Sequence, residues 1–301
     1  MKMKAVYYKP SGKISGKYFI HILKYIPISI IILSFAYIYL AHYMPIVQIN
    51  VLLTIGCGAA IGVLSGRAAK LGKARNQAIV CITAFLSVCA LKYLQWCVFI
   101  PLVFSKIVGL PFSFFKSIWS LIINPTSLIQ CIAAVNTRGT WGFSKGDLVN
   151  GLLLLAVWVG EFLLMAGVAV VIAIRQPGKP YSEDYGDWYA EQGGIISTNT
   201  PADFKGMKSN LENNDFTELI NLASLAKTSD TDFIVIRTFV PPLNLYSEPI
   251  YLMIDRFFRG KGKKPVMRET IRYIRCGAQD AQKIADAVKA VKQGGAAIQN
   301  I

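Results

Sequence analysis

Two residues of opposite charge stand deep inside apolar stretches of the sequence. Lys92 interrupts the run 78–104, and Glu161 interrupts the run 151–174. An ion without a partner in the middle of a membrane-spanning helix costs on the order of 3 kcal/mol or more. We predict an intramembrane charge pair between Lys92 and Glu161. An ion or proton path that uses these residues is one alternative hypothesis, and extension of the Lys92 side chain towards the outer face of the membrane is another.

The positions of the two charges along their helices favour the pair. If both helices reach the outer face of a membrane, Lys92 lies about 18 Å from Phe104, at the outer end of its helix. Glu161 lies about 16 Å from Asn150, at the outer end of the other helix. The two side chains are therefore expected at the same depth.

The inventory of reactive side chains excludes several classes of enzyme. The histidines, His21 and His42, flank the first apolar run, and residues 176–301 contain one cysteine and no histidine. A histidine-based triad, a cysteine–histidine dyad and a conventional zinc site are thereby excluded from that region. The chain also contains no phosphate-binding loop of the GxxxxGK[ST] type. We predict a non-catalytic protein that uses no cofactor.

Three glycines in the second apolar run, Gly58, Gly62 and Gly66, form two overlapping GxxxG steps. Helices approach closely where glycine leaves no Cβ atom, and the resulting contacts stabilise helix pairs in membranes. We predict that these glycines form a helix-packing face. Their partner is another helix of the same chain or, in the alternative interpretation, a second copy in a homo-oligomer.

Two clusters of basic residues are candidates for binding anionic groups. The first cluster follows the second apolar run, and it consists of Arg67, Lys70, Lys73 and Arg75. The second cluster lies in the C-terminal region, and it consists of Arg256, Arg259, Lys261, Lys263 and Lys264. Basic residues next to a membrane attract anionic lipid head groups. For the second cluster a cytosolic protein or a nucleic acid is an alternative partner, and a solvated turn is the simplest interpretation.

Composition and charge indicate which elements carry these residues. Hydrophobic residues make up 53% of the 301-residue chain, and the mean hydropathy of +0.43 is higher than is usual for a soluble protein. Residues 1–175 contain 16 basic and two acidic residues, whereas residues 176–301 contain 16 basic and 15 acidic residues. Of the net charge of +15, the apolar half carries +14. This distribution is typical of basic residues that flank a membrane and contact anionic lipid, and it does not favour a groove that binds nucleic acid.

Four apolar runs are long enough to cross a membrane as helices: 18–43, 50–66, 78–104 and 151–174. The basic residues before the first run would also fit a signal peptide, but the run is too long and no cleavage site closes it. The outer segment 105–149 contains two apolar stretches that are too short to span. We predict interfacial helices there, separated by Asn124 and Pro125. A fifth span is the alternative.

The positive-inside rule orients these helices. The loop at 67–75 contains four basic residues, whereas the loop at 44–50 contains none. The basic loop is therefore expected in the cytosol, and four crossings place both the N-terminus and the C-terminus there too. We predict a multi-pass protein of the bacterial inner (cytoplasmic) membrane.

After the fourth run the composition becomes that of a soluble protein. Residues 176–200 are polar and contain several prolines and glycines, which predicts a linker. Residues 201–301 show the patterns of a capped helix, a buried strand, a hairpin and a final helix, in that order, at 215–227, 233–240, 251–276 and 281–291. The predicted fold is an α-helical polytopic membrane domain (1–175), with about four transmembrane helices, plus a small cytosolic α+β domain. That domain has the order α-β-β-β-α and an antiparallel sheet.

These features favour a binding protein over an enzyme. We expect the cytosolic domain to bind a partner, as in a scaffold, a sensor or a membrane-acting effector. The expected partners are the bilayer with its anionic head groups and a cytosolic protein or nucleic acid. The alternative function is a small channel or transporter subunit that uses Glu161 and Lys92. Four spans without visible inverted repeats are few for a transporter.

Overall fold

The computed structural model describes residues 7–44, 47–110, 113–140, 148–225, 232–242, 249–259, 264–284 and 286–287. The chain folds as two compact units. A helical unit comprises Ser11–Gly178, and an α+β unit combines Met1–Pro10 with Lys179–Ile301. Residues 1–10 therefore belong to the same unit as the C-terminal region.

The described part of the helical unit contains six helices: α1 (Gly16–Tyr43), α2 (Val47–Leu71), α3 (Gln77–Val108), α4 (Phe114–Ile123), α5 (Pro125–Arg138) and α6 (Gly151–Ala173). Four of them, α1, α2, α3 and α6, are long and apolar enough to cross a membrane, and they coincide with the four predicted runs. α2 continues past the predicted end at residue 66. Alanine, lysine and leucine favour a helix even where the hydropathy falls.

Polar residues and glycine set the ends of α1 and α3. The Ser15 side chain accepts a hydrogen bond from the backbone N–H of Lys17, at 3.3 Å, where α1 begins. The Asn76 side chain accepts one from Ile79 N–H, at 3.0 Å, where α3 begins. α3 ends at Gly109, whose φ of +67° is the left-handed conformation typical of a helix C-terminus. These ends place residue 92 near the middle of α3.

α4 and α5 are two short helices that meet at a sharp angle. α4 and α5 are bent by 112° at Asn124, and Pro125 occupies the first turn of α5. At about 15 Å and 21 Å in length, each is too short to cross a membrane alone. The hydroxyl of Tyr93 on α3 donates to the carbonyl oxygens of Leu121 and Ile122, at 3.2 and 2.9 Å. The end of α4 is thereby held against the middle of α3.

The α+β unit is built on an antiparallel sheet. A short hairpin comes first, formed by β1 (Tyr181–Ser182) and β2 (Asp187–Trp188). Four strands then pair in the order β3-β4-β5-β6, with the bounds β3 (Ala190–Asn199), β4 (Asp232–Val240), β5 (Ile250–Phe258) and β6 (Val266–Cys276). Neighbouring strands run antiparallel throughout this sheet.

Helices pack against one face of the sheet. They are α7 (Phe204–Glu212), α8 (Thr217–Ala223) and the helical residues 278–284. Apolar side chains from the helices and from the strands form one buried core, which includes Met207, Leu211, Leu219, Ile236, Leu252, Ile274 and Ile284. This core stabilises the unit through the burial of apolar surface.

The sequence-based prediction for this region is wrong in two respects. Residues 176–200, predicted as a linker, contain β1, β2 and β3. The main sheet therefore has four strands, and two helices, not one, separate β3 from β4. β3 has a polar, glycine-containing sequence, and it is a strand because it pairs with β4 from Ala190↔Val240 to Asn199↔Phe233. A local pattern does not reveal such a pairing.

The start of the chain adds a further contact to the sheet. Tyr7 forms an antiparallel bridge with Ile274 of β6. The N–H of Tyr8 donates to the carbonyl oxygen of Tyr273 at 2.9 Å. The hydroxyl of Tyr7 donates to Glu212 of α7 at 2.7 Å. The α+β unit is thus larger than the predicted range 201–301.

Candidate functional site

Lys92 and Glu161 form an ion pair between α3 and α6. The Nζ atom of Lys92 lies 3.0 Å from Oε2 of Glu161, and the two side chains are 15% and 27% exposed. Lys92 is near the middle of α3, and Glu161 lies about 15 Å from the start of α6. The structure therefore brings together the two charges that the sequence singled out.

A polar layer extends from this pair into α1 and α2. The Lys92 ammonium lies 5.5 Å from the ring centroid of Tyr37 on α1. The hydroxyls of Tyr37 and Thr54 are 3.3 Å apart, and Thr54 also donates to the carbonyl oxygen of Asn50 at 2.8 Å. Four helices thus contribute to the polar layer, which consists of Tyr37, Thr54, Lys92 and Glu161. The carboxylate and the aromatic face both stabilise the buried cation.

Gln95 lies one helical turn beyond Lys92 on α3 and is 1% exposed. Neither its Nε2 nor its Oε1 has a hydrogen-bond partner among the described residues. A buried amide without a partner costs about 1–3 kcal/mol. Sequence reasoning missed this residue, although a glutamine one turn from a lysine inside an apolar run is a readable signal. Gln95 gives the core of the helical unit an amide that can bind a further polar group.

The three glycines of α2 lie against the backbone of α6. A Cβ atom added at Gly58 would be 2.5 Å from the carbonyl oxygen of Met165, and one at Gly62 would be 2.7 Å from that of Ala169. At Gly66 the nearest atom is 3.6 Å away, which is ordinary contact. The glycine face is therefore used within the chain, where it brings α2 close to the helix that carries Glu161.

The first basic cluster divides into exposed and internal residues. Arg67 and Lys70 are exposed, whereas Arg75 is buried. Arg75 Nε donates to Ser11 Oγ at 3.1 Å, and its Nη1 donates to the carbonyl oxygen of Lys73 at 2.7 Å. Arg75 therefore fixes the loop before α3 to the segment before α1.

The second basic cluster divides in the same way. Arg256 holds Asp232 through Nε–Oδ1 and Nη2–Oδ2 hydrogen bonds of 3.2 and 2.8 Å, and Thr200 donates to the same carboxylate at 2.6 Å. The hydrogen bonds of Arg256 hold the pKa of Asp232 below its ordinary value. Arg259 and Lys264 are exposed. Lys261 and Lys263 lie outside the described residues.

Apolar side chains are exposed beside these basic residues, where β5 ends and β6 begins. Phe258, Val266 and Met267 are 37%, 63% and 51% exposed. The guanidinium of Arg268 lies 4.3 Å from the centroid of the Phe258 ring, in a cation–π contact. We call these four residues the hairpin end. It combines apolar surface with positive charge outside the core of its unit.

The buried acid Asp255 of the α+β unit has a structural role. Asp255 is fully buried, accepts a hydrogen bond from Thr270 at 2.8 Å and pairs with Arg237. Its charge is therefore satisfied within the sheet. Among the described residues, no group of three or more histidine, cysteine or acidic side chains is arranged to hold a metal ion.

The chain matches no protein-family profile, no curated protein and no solved structure. A functional proposal must therefore rest on geometry and charge. Two features of the structure indicate a function: the hairpin end of the α+β unit and the polar layer of the helical unit.

Proposed function

We propose that the chain is a multi-pass protein of the bacterial inner membrane whose α+β unit binds an acidic protein in the cytosol, without catalysing a reaction. Four apolar helices are available for the crossings. The α+β unit has its own core, as expected of a binding domain that is anchored by a separate helical unit.

The contacts of Tyr7 support an even number of crossings. Tyr7 precedes α1, whereas Glu212, which accepts the hydrogen bond of its hydroxyl at 2.7 Å, follows α6. Both residues belong to one folded unit, so they lie on one side of the membrane. Four crossings by α1, α2, α3 and α6 meet this condition. A fifth crossing by α4 with α5 does not.

Exposed basic residues indicate that the side of the membrane with Tyr7 and Glu212 is the cytosolic side. Arg67 and Lys70 are exposed near the end of α2, Lys17 is exposed near the start of α1, and Arg175 is exposed just after α6. With four crossings, these three helix ends lie on the same side of the membrane. An excess of basic residues marks the cytosolic side.

The hairpin end is the observation that carries the binding proposal. Exposed apolar side chains next to an arginine are typical of the residues that contribute most to protein interfaces. Arg259 and Lys264, which are also exposed, add positive charge at the rim, so the complementary surface is apolar with acidic groups around it. A protein fits better than a nucleic acid because residues 176–301 contain 16 basic and 15 acidic residues, without the excess that a phosphate backbone attracts.

Photo-cross-linking in intact cells tests this proposal. p-Benzoylphenylalanine in place of Val266 should cross-link a protein, and the same probe in place of Leu225, another exposed residue of the unit, should not. The product should persist after nuclease treatment and should be lost when Arg268→Glu reverses the charge. Equal products from both positions, or no effect of Arg268→Glu, would contradict a specific acidic partner.

A second candidate function is ion or proton transfer within the membrane. It is supported by the partly exposed Lys92–Glu161 pair and by the amide of Gln95, which is buried without a partner among the described residues. In proteoliposomes this function predicts a proton or cation flux that falls with Glu161→Gln while the protein stays folded. A flux that Glu161→Gln leaves unchanged would exclude this role.

A further inference from the structure

The bend between α4 and α5 lies at the depth of the charge pair. Glu161 is about 15 Å from the start of α6 and about 18 Å from its end, and Lys92 binds it at 3.0 Å. Tyr93, the next residue of α3, donates to the carbonyl oxygens of Leu121 and Ile122 in the last turn of α4. If α6 crosses a membrane, as in the proposed function, the bend lies near the middle of the bilayer.

α5 then returns towards the end of the bundle at which α6 begins. A Cβ atom added at Gly139, directly after α5, would lie 2.7 Å from the carbonyl oxygen of Val149. Val149 is two residues before the start of α6. The pair of helices thus enters from the outer side and leaves on the same side, as a re-entrant hairpin.

The two helices of this hairpin expose different chemistry. α4 exposes Phe115, Trp119 and Ile123, which are spaced by four residues and form one apolar face suited to lipid. The bend and the first turns of α5 expose polar side chains instead. We call these residues the polar elbow, and they are Asn124, Thr126, Ser127 and Gln130.

Lipid is a poor neighbour for the polar elbow. The buried side of α5, with Leu128, Cys131 and Val135, faces the bundle, so the polar side faces outwards. Asn124 is the N-cap of α5, where its side chain accepts no capping hydrogen bond, and its Nδ2 donates to the carbonyl oxygen of Ser120 at 3.0 Å. In the hydrocarbon region each unsatisfied polar group costs several kcal/mol, so backbone ends and polar side chains at this depth are covered by protein or line water.

We propose that the polar elbow is the surface through which two copies of the chain associate within the membrane. A two-fold axis along the membrane normal keeps each residue at the same depth as its copy, and residues close to the axis face their own copies. Amides and hydroxyls both donate and accept hydrogen bonds, so Asn124 and Gln130 can pair with their own copies. Such bonds stabilise helix association in membranes. The glycine face of α2 is already used against α6, so it is not available to a second copy.

Photo-cross-linking of the full chain in native membranes tests this interface. p-Benzoylphenylalanine in place of Ile129, an exposed neighbour of the elbow, leaves all four polar residues intact. Two differently tagged copies should be joined by this probe at least tenfold more than by the same probe at Phe115 or Leu152, which are equally exposed positions on α4 and α6. Adding Asn124→Leu and Gln130→Leu, which change exposed side chains only, should reduce the product at least fivefold.

The probe at Phe115 separates a failure of this interface from a failure of the membrane placement. Phe115 should yield phospholipid adducts, and their absence would overturn the crossing itself. If Phe115 yields lipid adducts while Ile129 joins no second copy, the dimer is wrong and the crossing stands. Lipid adducts at Ile129 would assign the elbow to lipid. Labelling of Thr126→Cys by a membrane-impermeant maleimide would assign it to water, and either result would overturn the dimer.

Discussion

Nζ of Lys92 and Oε2 of Glu161 lie 3.0 Å apart across the interface of α3 and α6. Each charge is therefore stabilised by the other, in a part of the protein where little water is available to solvate it. Removal of one partner leaves an ion that costs about 3 kcal/mol in a membrane. We expect Lys92→Met and Glu161→Gln each to lower the free energy of unfolding by about that amount, and the double variant to lose at least about 1 kcal/mol less than their sum.

Titration with a denaturing detergent measures these free energies of unfolding. Lys24→Met, which removes an exposed charge from α1, is the matched control and should change the stability little. Purely additive losses for the double variant would show that the two residues do not stabilise each other.

The close contact of α2 with α6 predicts a specific sensitivity at Gly58. A Cβ atom there would lie 2.5 Å from the carbonyl oxygen of Met165, so we expect Gly58→Ala to destabilise the protein by about 1–3 kcal/mol. Gly56→Ala is the matched control, because nothing lies within 4 Å of its added Cβ atom. It should be neutral or slightly stabilising, since alanine favours a helix. Thermal melting in detergent compares the two, and equal effects would contradict the α2–α6 contact.

Reporter fusions test the number of crossings. An alkaline phosphatase reporter fused after residue 47 or 140 should be active, because both positions are expected outside the cytosol. The same reporter fused after residue 72 or 230 should be inactive, because both positions are expected in the cytosol. A fluorescent protein fused after residue 72 or 230 should fold. These results follow from the Tyr7–Glu212 contact, which requires an even number of crossings. Phosphatase activity of the fusion after residue 230 would show that α4 and α5 together make a fifth crossing.

The Asp232–Arg256 pair predicts a pH dependence of stability. Hydrogen bonds from Arg256, and then from Thr200, hold the pKa of Asp232 below its ordinary value against the opposing effect of burial. The stability gained is full above the ordinary carboxyl pKa of about 4 and is lost as the pH falls through the lower pKa of the folded state. We expect wild type to be more stable than Asp232→Asn near neutral pH, and the difference to shrink on acidification.

Thermal unfolding of the two proteins over a series of pH values provides the measurement. Arg256→Gln should remove the same part of the pH dependence, because it removes the group that lowers the pKa of Asp232. A difference between wild type and Asp232→Asn that stays constant with pH would mean that the pair does not form.

The pairing of β3 with β4 predicts the boundary of the α+β unit. A fragment of residues 179–301 retains β3, whereas a fragment of 201–301 leaves one edge of β4 without its partner. We expect the longer fragment to be the more stable of the two and the shorter one to aggregate more, because an unpaired strand edge binds other chains. Size-exclusion chromatography and thermal melting distinguish them. Equal behaviour would show that β3 contributes little.

The helices of the first unit could be predicted from the sequence because a membrane imposes a length and a polarity on each span. The runs at 18–43 and 151–174 required no knowledge of the rest of the chain. Lys92 and Glu161 could be paired for a similar reason, since distance along a helix fixes the depth of a residue. The polar elbow was not identified as a surface, because its outward orientation depends on how α5 packs.

The missed elements depend on contacts between distant parts of the chain. β3 is a strand, and Tyr7 forms its bridge, only because β4 and β6 offer them partners. Arg75 and Arg256 were grouped with exposed cations, although each binds groups of its own unit. A count of charges does not show which of them are already satisfied by a neighbour.

The hydrogen bond between Tyr7 and Glu212 joins residues that are 205 positions apart, which has a consequence for biosynthesis. At typical rates of translation, roughly 10–40 s pass between the synthesis of the first residue and that of the second. During this interval all the apolar helices leave the ribosome. The segment at Tyr7, which bridges to β6, therefore waits for its partners until insertion is complete. A copy that stalls or inserts a helix in the wrong direction separates Tyr7 from β6, and the exposed edge gives quality-control proteases a means to recognise it.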